Sequence, residues 1–176
     1  MIDAFLAAPL AQGIGLAGTA CGMSWPLFRS RLGMLLAQFA TNLFFALHYG
    51  LLGAETGCAM NLLAAAQVAA AVPLGTRPGF RLVYLAVLPF IVAGVVLTWE
   101  GLPSLFAAMG FGVVSLARYQ TAVRPFRLIM AVALPCWFAH NLMVGSLPGM
   151  LSDVVGMTLN LAMLVRPHRP AMETAP

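Results

Sequence analysis

The sequence predicts an all-α membrane protein, with seven transmembrane helices arranged as two parallel three-helix units joined by a linker helix. Composition is the first reason. Of 176 residues, 61% are hydrophobic and 8% are charged, against ~45–50% apolar and ~25% charged in a soluble domain. Nine basic and five acidic side chains cannot clothe a chain of this size in water. That excludes a soluble globule, a secreted disulfide scaffold, a disordered tail and a nucleic-acid-binding module. Spacing is the second reason. Charge-free gaps at 4–28, 32–54, 56–76, 82–99, 101–117 and 128–152 are each long enough for a spanning helix of ~17–25 residues. The runs are continuously apolar, with no period-two alternation, so they are not strands of a closed barrel. Charge asymmetry is the third: every basic residue is Arg, and all nine fall on one side of a seven-span layout.

The elements follow in order. A helix over 7–25 stops at Pro26, and Gly13, Gly15, Gly18 and Gly22 give it small residues for close packing. Gly13-x-Gly15-x-x-Gly18 matches a dinucleotide-binding fingerprint as text, but no strand precedes it, so packing is the reading. After Arg29 and Arg31, a helix over 33–53 carries Gln38, Thr41, Asn42, Phe45 and His48 on one face ~120° wide at ~100° per residue. Gly53 to Gly57 read as a turn before a helix over 57–74. Pro78-Gly79 precedes a linker helix over 81–99, and Gly101 to Pro103 precede a helix over 102–119. A helix over 126–145 contains Pro135, which removes a backbone hydrogen bond and supplies a hinge. The first helix has no internal Pro, so its glycines would supply flexibility there. Pro148-Gly149 read as the turn before the last helix, 149–166. Its charge-free gap, 154–165, is too short to span, so Asp153 must lie inside it. The organisation is a first repeat over 7–76, a linker helix over 77–100, a second repeat over 101–166 and a tail over 167–176.

Arg29 and Arg31, Arg77 and Arg81, Arg118, Arg124 and Arg127, and Arg166 and Arg169 mark one side, whereas Asp3, Glu55 and Glu100 mark the other. The positive-inside rule puts the arginines in the cytoplasm, with the N-terminus periplasmic and the C-terminus cytoplasmic. No basic n-region precedes the first apolar stretch, so it does not read as a cleaved signal peptide. Cys21, Cys58 and Cys136 have neither disulfide nor metal-ligand spacing and read as small packing residues.

The chain also repeats. A shift of 92 superposes His48 on His140, Gly53 on Gly145, Gly57 on Gly149 and Asn61 on Asp153. A shift of 97 brings Gly13, Gly15 and Gly18 onto Gly110, Gly112 and Ser115. Three helices, an odd number, separate the first members of the two units, so the repeats run parallel, about an axis along the membrane normal. This arrangement resembles the SWEET and PQ-loop superfamily of sugar and amino-acid transporters. The motifs are most similar to the YgjV family of bacterial inner membrane proteins. They are Ala11-Gln12-Gly13-Ile14-Gly15, the run from His48 to Asn61, and Trp137-Phe138-Ala139-His140-Asn141 continuing through Gly145-Ser146 and Gly149 to Asn160.

The resemblance implies a small-solute transporter, for a sugar or organic acid, with alternating access between the halves. It implies sugar-holding asparagines on the third helix of each repeat and an aromatic on the second. Asn61 and Asn160 are then the pair, Trp137 the stacking platform and Phe45 its counterpart, although Asn61 and Asn160 do not occupy matching repeat positions. Asn42 lies on the same face as Phe45. Asp153 is the sharpest candidate, because an intramembrane carboxylate normally faces a cavity or a partner; a cap on the last helix is the alternative. His48 and His140 read either as donors to backbone carbonyls that hold helix ends, or as a proton-sensitive gate near the outer mouth. No nucleophile, base and orienter set occurs, so an enzyme is not expected, and no cofactor or metal is called for. The expected partners are a small polar solute and the lipid bilayer, without nucleic acid, and assembly as a homo-oligomer stays open. A non-transporting membrane receptor or assembly factor is the rival class. Orientation has a direct test: a green fluorescent protein fused to the C-terminus should fluoresce and an alkaline phosphatase fused there should be inactive. The reverse pattern would put the arginines outside.

Overall fold

The computed structural model describes residues 6–24, 30–74, 77 and 79–165. They form seven helices: α1 Pro9–Ser24, α2 Arg31–Leu51, α3 Glu55–Leu74, α4 Phe80–Leu97, α5 Leu102–Tyr119, α6 Val123–Met143 and α7 Leu147–Val165. Five of them, α3 to α7, are long and apolar enough to cross a bilayer. In α1, 16 residues are helical, and the apolar run of α2 is broken by Gln38, Thr41, Asn42 and His48. Asp3, Pro26, Arg29, Arg166, Arg169 and the tail over 167–176 lie outside the described residues.

The helices close into a ring: α1 packs on α2, α2 on α3, α3 on α5, α5 on α6, α6 on α7, and α7 back on α1. The linker, α4, stays outside and packs on α3 and α5. Met60 and Ala64 of α3, Val87 and Ile91 of α4, and Ala107 and Phe111 of α5 share one buried cluster there. Elsewhere the polarity is inverted relative to a soluble protein. His48, His140, Gln12 and Asn141 are among the largest fully buried side chains, whereas Leu10, Leu36, Phe90, Val96 and Leu142 face outward. Such a surface suits hydrocarbon, where apolar groups lose nothing by exposure and polar groups must find partners within the protein.

Helix ends depart from the sequence reading in a consistent way. The α2–α3 connection is Leu52-Gly53-Ala54 and the α6–α7 connection is Val144-Gly145-Ser146. Gly53 and Gly145 take φ of 72° and 70°, where a side chain would be strained. The helices expected to begin at Gly57 and Gly149 begin two residues earlier, at Glu55 and Leu147, which makes Pro148, read as a turn residue, helical. Pro148 is tolerated in the first turn because its missing N–H has no intrahelical role there. Gly57 and Gly149 are small for contact: a Cβ on Gly57 would lie 2.6 Å from His140 Nε2, and one on Gly149 would overlap the Asn141 amide. α4 is not one uninterrupted α-helix. A 3-10 turn, Phe80–Leu82, and a single turn, Val83–Ala86, precede Leu88–Leu97. Pro89 lacks the N–H that would continue the ladder and crowds the preceding turn, which accounts for the break at Val87. By contrast α6 runs unbroken through Pro135.

These packing roles separate glycines by consequence. Gly149→Ala should lower stability in detergent by about 1–3 kcal/mol, the usual cost of overpacking. A Cβ added at Gly13 would meet nothing within 4 Å, so Gly13→Ala should be neutral or gain up to about 1 kcal/mol. Melting temperatures of the two purified variants against wild type check both.

Candidate functional site

Local sequence places a dense hydrogen-bond layer at the end of the ring that carries Gly53, Gly101 and Gly145. A new helix leaves N–H groups without partners at its start, and here other helices supply the caps. Glu55 N at the start of α3 donates to Glu100 Oε1 at 3.1 Å. Leu147 N at the start of α7 donates to Gln12 Oε1 of α1 at 3.2 Å, and Gln12 Nε2 donates to Gly145 O at 2.8 Å. Thr19 of α1 donates to Pro148 O at 3.1 Å. Thr56 of α3 bonds Ser104 Oγ of α5 at 2.7 Å and also meets Thr98 O.

The two histidines hold helices together in this layer. His48 Nδ1 donates to Ala11 O at 2.7 Å, so that nitrogen carries the proton. Ser146 Oγ then donates to His48 Nε2 at 2.7 Å and accepts from Gly149 N at 3.1 Å. His140 Nδ1 donates to Pro103 O at 2.9 Å. Ala11 and Pro103 are 92 residues apart, as are the histidines. These contacts of α1 and the start of α5 therefore match at a spacing of 92, and the glycine match at 97 has no counterpart among them. Gly18 under Phe45 corresponds to Gly110 under Trp137 at the same spacing. The match stops at Ser146, whose counterpart is Ala54. His140 Nε2 is accordingly the buried side-chain nitrogen left without a partner among the described residues.

Beneath this layer a cavity of ≈ 200 Å³ opens between α2, α3, α5, α6 and α7. Its walls include positions 92 residues apart: Phe45 and Trp137, Tyr49 and Asn141, Asn61 and Asp153. Tyr49 stacks between the rings of Phe45 and Trp137, at centroid distances of 5.8 and 6.3 Å. Its hydroxyl donates to Asn141 Oδ1 at 2.7 Å, which turns the amide so that Nδ2 donates to Asp153 Oδ2 at 2.7 Å. Asp153 thus ends a chain of bonds running from α2 through α6 to α7. It lies six residues into α7, about 9 Å along the axis, so it is not a helix cap.

Of the residues singled out from sequence, Asn42, Phe45, Asn61, Trp137 and Asp153 come together around this cavity. Asn61 also donates to Gly57 O within its own helix, at 2.9 Å. Asn160 does not join them; its Nδ2 donates to Arg127 O at 2.8 Å, bracing α7 against α6. His48 and His140 stand behind the wall, edge-on to the aromatic stack. Pro135 lines a separate, largely apolar groove between α6 and α7, which Asp153 also borders. Sequence reasoning missed Tyr49, Gln67 and Arg118 and gave Asn141 no role of its own. Tyr49 and Asn141 carried a signal, since they stand at the repeat spacing. Arg118 lines the cavity and donates from Nη1 to Gln67 Oε1 at 2.9 Å; read as a charge marking a loop, it lies inside α5. Among the described residues no group of three or more His, Cys, Asp or Glu could hold a metal ion.

Apolar helices facing outward, polar side chains satisfied inward and a polar cavity between them define a multi-pass α-helical membrane protein. Over residues 9–171 the chain matches a family model described as bacterial inner membrane protein, Imp-YgjV, and it belongs to that family. No curated protein and no solved structure matches it.

The hydroxyl at Ser146 and its absence at Ala54 generate a paired expectation. Ser146→Ala orphans His48 Nε2 and should destabilise by about 1–3 kcal/mol, whereas Ala54→Ser offers His140 Nε2 a donor and should stabilise by about 1 kcal/mol. Thermal unfolding of both variants in one detergent checks the pair; a stabilised Ser146→Ala beside a destabilised Ala54→Ser would disprove the assignment.

Proposed function

We propose that the protein carries a small polar solute across the inner membrane, the two halves of the ring exposing the cavity to each side in turn. The observation behind this reading is the cavity itself: ≈ 200 Å³, lined by Asn42, Asn61, Asn141, Asp153 and Arg118, inside an apolar bundle. Polar groups at that depth are costly to keep and characteristically mark solute pathways. Bonds between the halves are concentrated at the end carrying the Gly53 and Gly145 turns, through His48, Gln12, Thr19, Tyr49 and Thr56. The cavity extends from there to Arg118, next to the last residue of α5. With the arginines cytoplasmic, the more heavily bonded end is the periplasmic one, while Gln67, Ser115 and Arg118 tie α3 to α5 at the other.

Purified protein in liposomes, assayed over a panel of small solutes with and without a pH gradient, tests the reading. At least one solute should be taken up above empty liposomes, and Trp137→Ala should reduce its uptake about tenfold or more, as loss of a stacking platform would. Asp153→Asn should remove any response to the pH gradient. Absence of flux for every solute, together with co-purification of one stoichiometric partner protein, would favour a receptor or assembly factor instead.

A further inference from the structure

Two opposite charges reach the cavity from its two ends. Asp153 enters near the turn end, with Oδ2 bonded to Asn141. Arg118 enters near the other end, bonded through Nη1 to Gln67, whose own amide is fixed by a bond from Nε2 to Ser115 Oγ at 3.2 Å. Among the described residues neither charge has an ionic partner. At ~1.5 Å rise per residue, Asp153 stands ~9 Å from the turn end of α7 and Gln67 ~18 Å from that of α3. Along the axis these two levels therefore differ by ~9 Å, and among the described residues Asp153 is bonded to Asn141 and Arg118 to Gln67 rather than to each other. Between them the walls carry Phe45, Trp137, Phe111 and Leu134, with the Asn42 and Asn61 amides among them.

From this arrangement we infer that the cavity takes a small dipolar solute, with an ammonium group toward Asp153, a carboxylate toward Arg118 and an apolar stem between. The inference rests on the solute-carrying reading and names the solute class. Allowing ~2.8 Å for a charged hydrogen bond at each end, an axial offset of that size leaves room for a solute whose own charged atoms stand ~3–5 Å apart. That is at or beyond the reach of an α-amino acid, and it suits a β- or γ-amino acid, whereas extended longer ω-amino acids and dipeptides overshoot it. Volume agrees. At ~30 Å³ per water, the cavity holds the equivalent of about seven waters, hence a solute of roughly ten heavy atoms. The guanidinium accepts a carboxylate through paired N–H donors, the face of Trp137 favours an ammonium group, and methylenes match the rings and Leu134 between them. An uncharged sugar would leave both charges uncompensated, and a simple organic acid would answer only Arg118. A dipolar solute compensates both and enters the membrane with no net charge.

Calorimetric titration of the purified protein with glycine, β-alanine, 4-aminobutyrate, 6-aminohexanoate and diglycine, against butylamine, butyrate and glucose, is the test. β-Alanine or 4-aminobutyrate should bind tightest, and each singly charged probe about thirtyfold more weakly. Arg118→Gln should abolish the preference for the dipolar probe over butylamine, Asp153→Asn the preference over butyrate, and Arg118→Lys and Asp153→Glu should retain most of each. Equal binding of all probes, or any other probe binding tightest, overturns the inference without need of any variant. Flux separates the two ideas. Liposomes that accumulate only glucose keep the transport reading and discard this one; ω-amino acids that bind but never cross do the reverse.

Discussion

Hydrocarbon offers a polar group no partner, so every donor and acceptor brought into a bilayer must be matched inside the protein. Here that matching is done largely across helices. His48 joins α1, α2 and the start of α7 by one bond from each ring nitrogen. Gln12 caps α7 from α1, and Glu100 caps α3 from beyond α4. Because the bonds run between elements, opening the ring at this end frees donors and acceptors that only water or a solute can then satisfy. Ring closure, the small residues at Gly15, Gly57 and Gly149 that let imidazoles and an amide approach, and the sheltered volume below all depend on it.

Spans are legible in the sequence because charge is so rare that its gaps measure helices directly. The reading of α5 over 102–119 agrees with the structure to the residue. Ends next to glycine are less legible. A glycine is equally suited to a turn and to close helix contact, and only the packed neighbour separates the two, so the helices at Gly57 and Gly149 read as starting two residues late. Five of the candidate cavity residues come together because they lie on inward faces set by helical periodicity. Asn160 does not, since a buried amide serves a backbone carbonyl as readily as a solute, and Arg127 O is the group it meets. Arg118 escapes notice for a different reason. Counting arginines to find the cytoplasmic side treats each as a marker, although one helical turn of depth changes a marker into a wall residue.

The distinctive chemistry lies where positions 92 residues apart carry different groups. Tyr49 corresponds to Asn141 and Asn61 to Asp153, and these pairs share the cavity while presenting different groups. The bond from Tyr49 to Asn141 joins positions 92 residues apart directly, so the phenol on α2 orients the α6 amide that bonds the α7 carboxylate. The difference between Ser146 and Ala54 leaves one histidine doubly bonded and the other with a free nitrogen.

The position of α4 makes the ring mechanically lopsided. Its two seams join α1 to α7 and α3 to α5. The first is crossed only by noncovalent bonds from Gln12, Thr19 and His48. The second is also spanned by the chain itself, with α4 laid over it like a strap. One seam is therefore held by side chains alone and the other is also tied by the chain, with the break at Val87 lying in that tie.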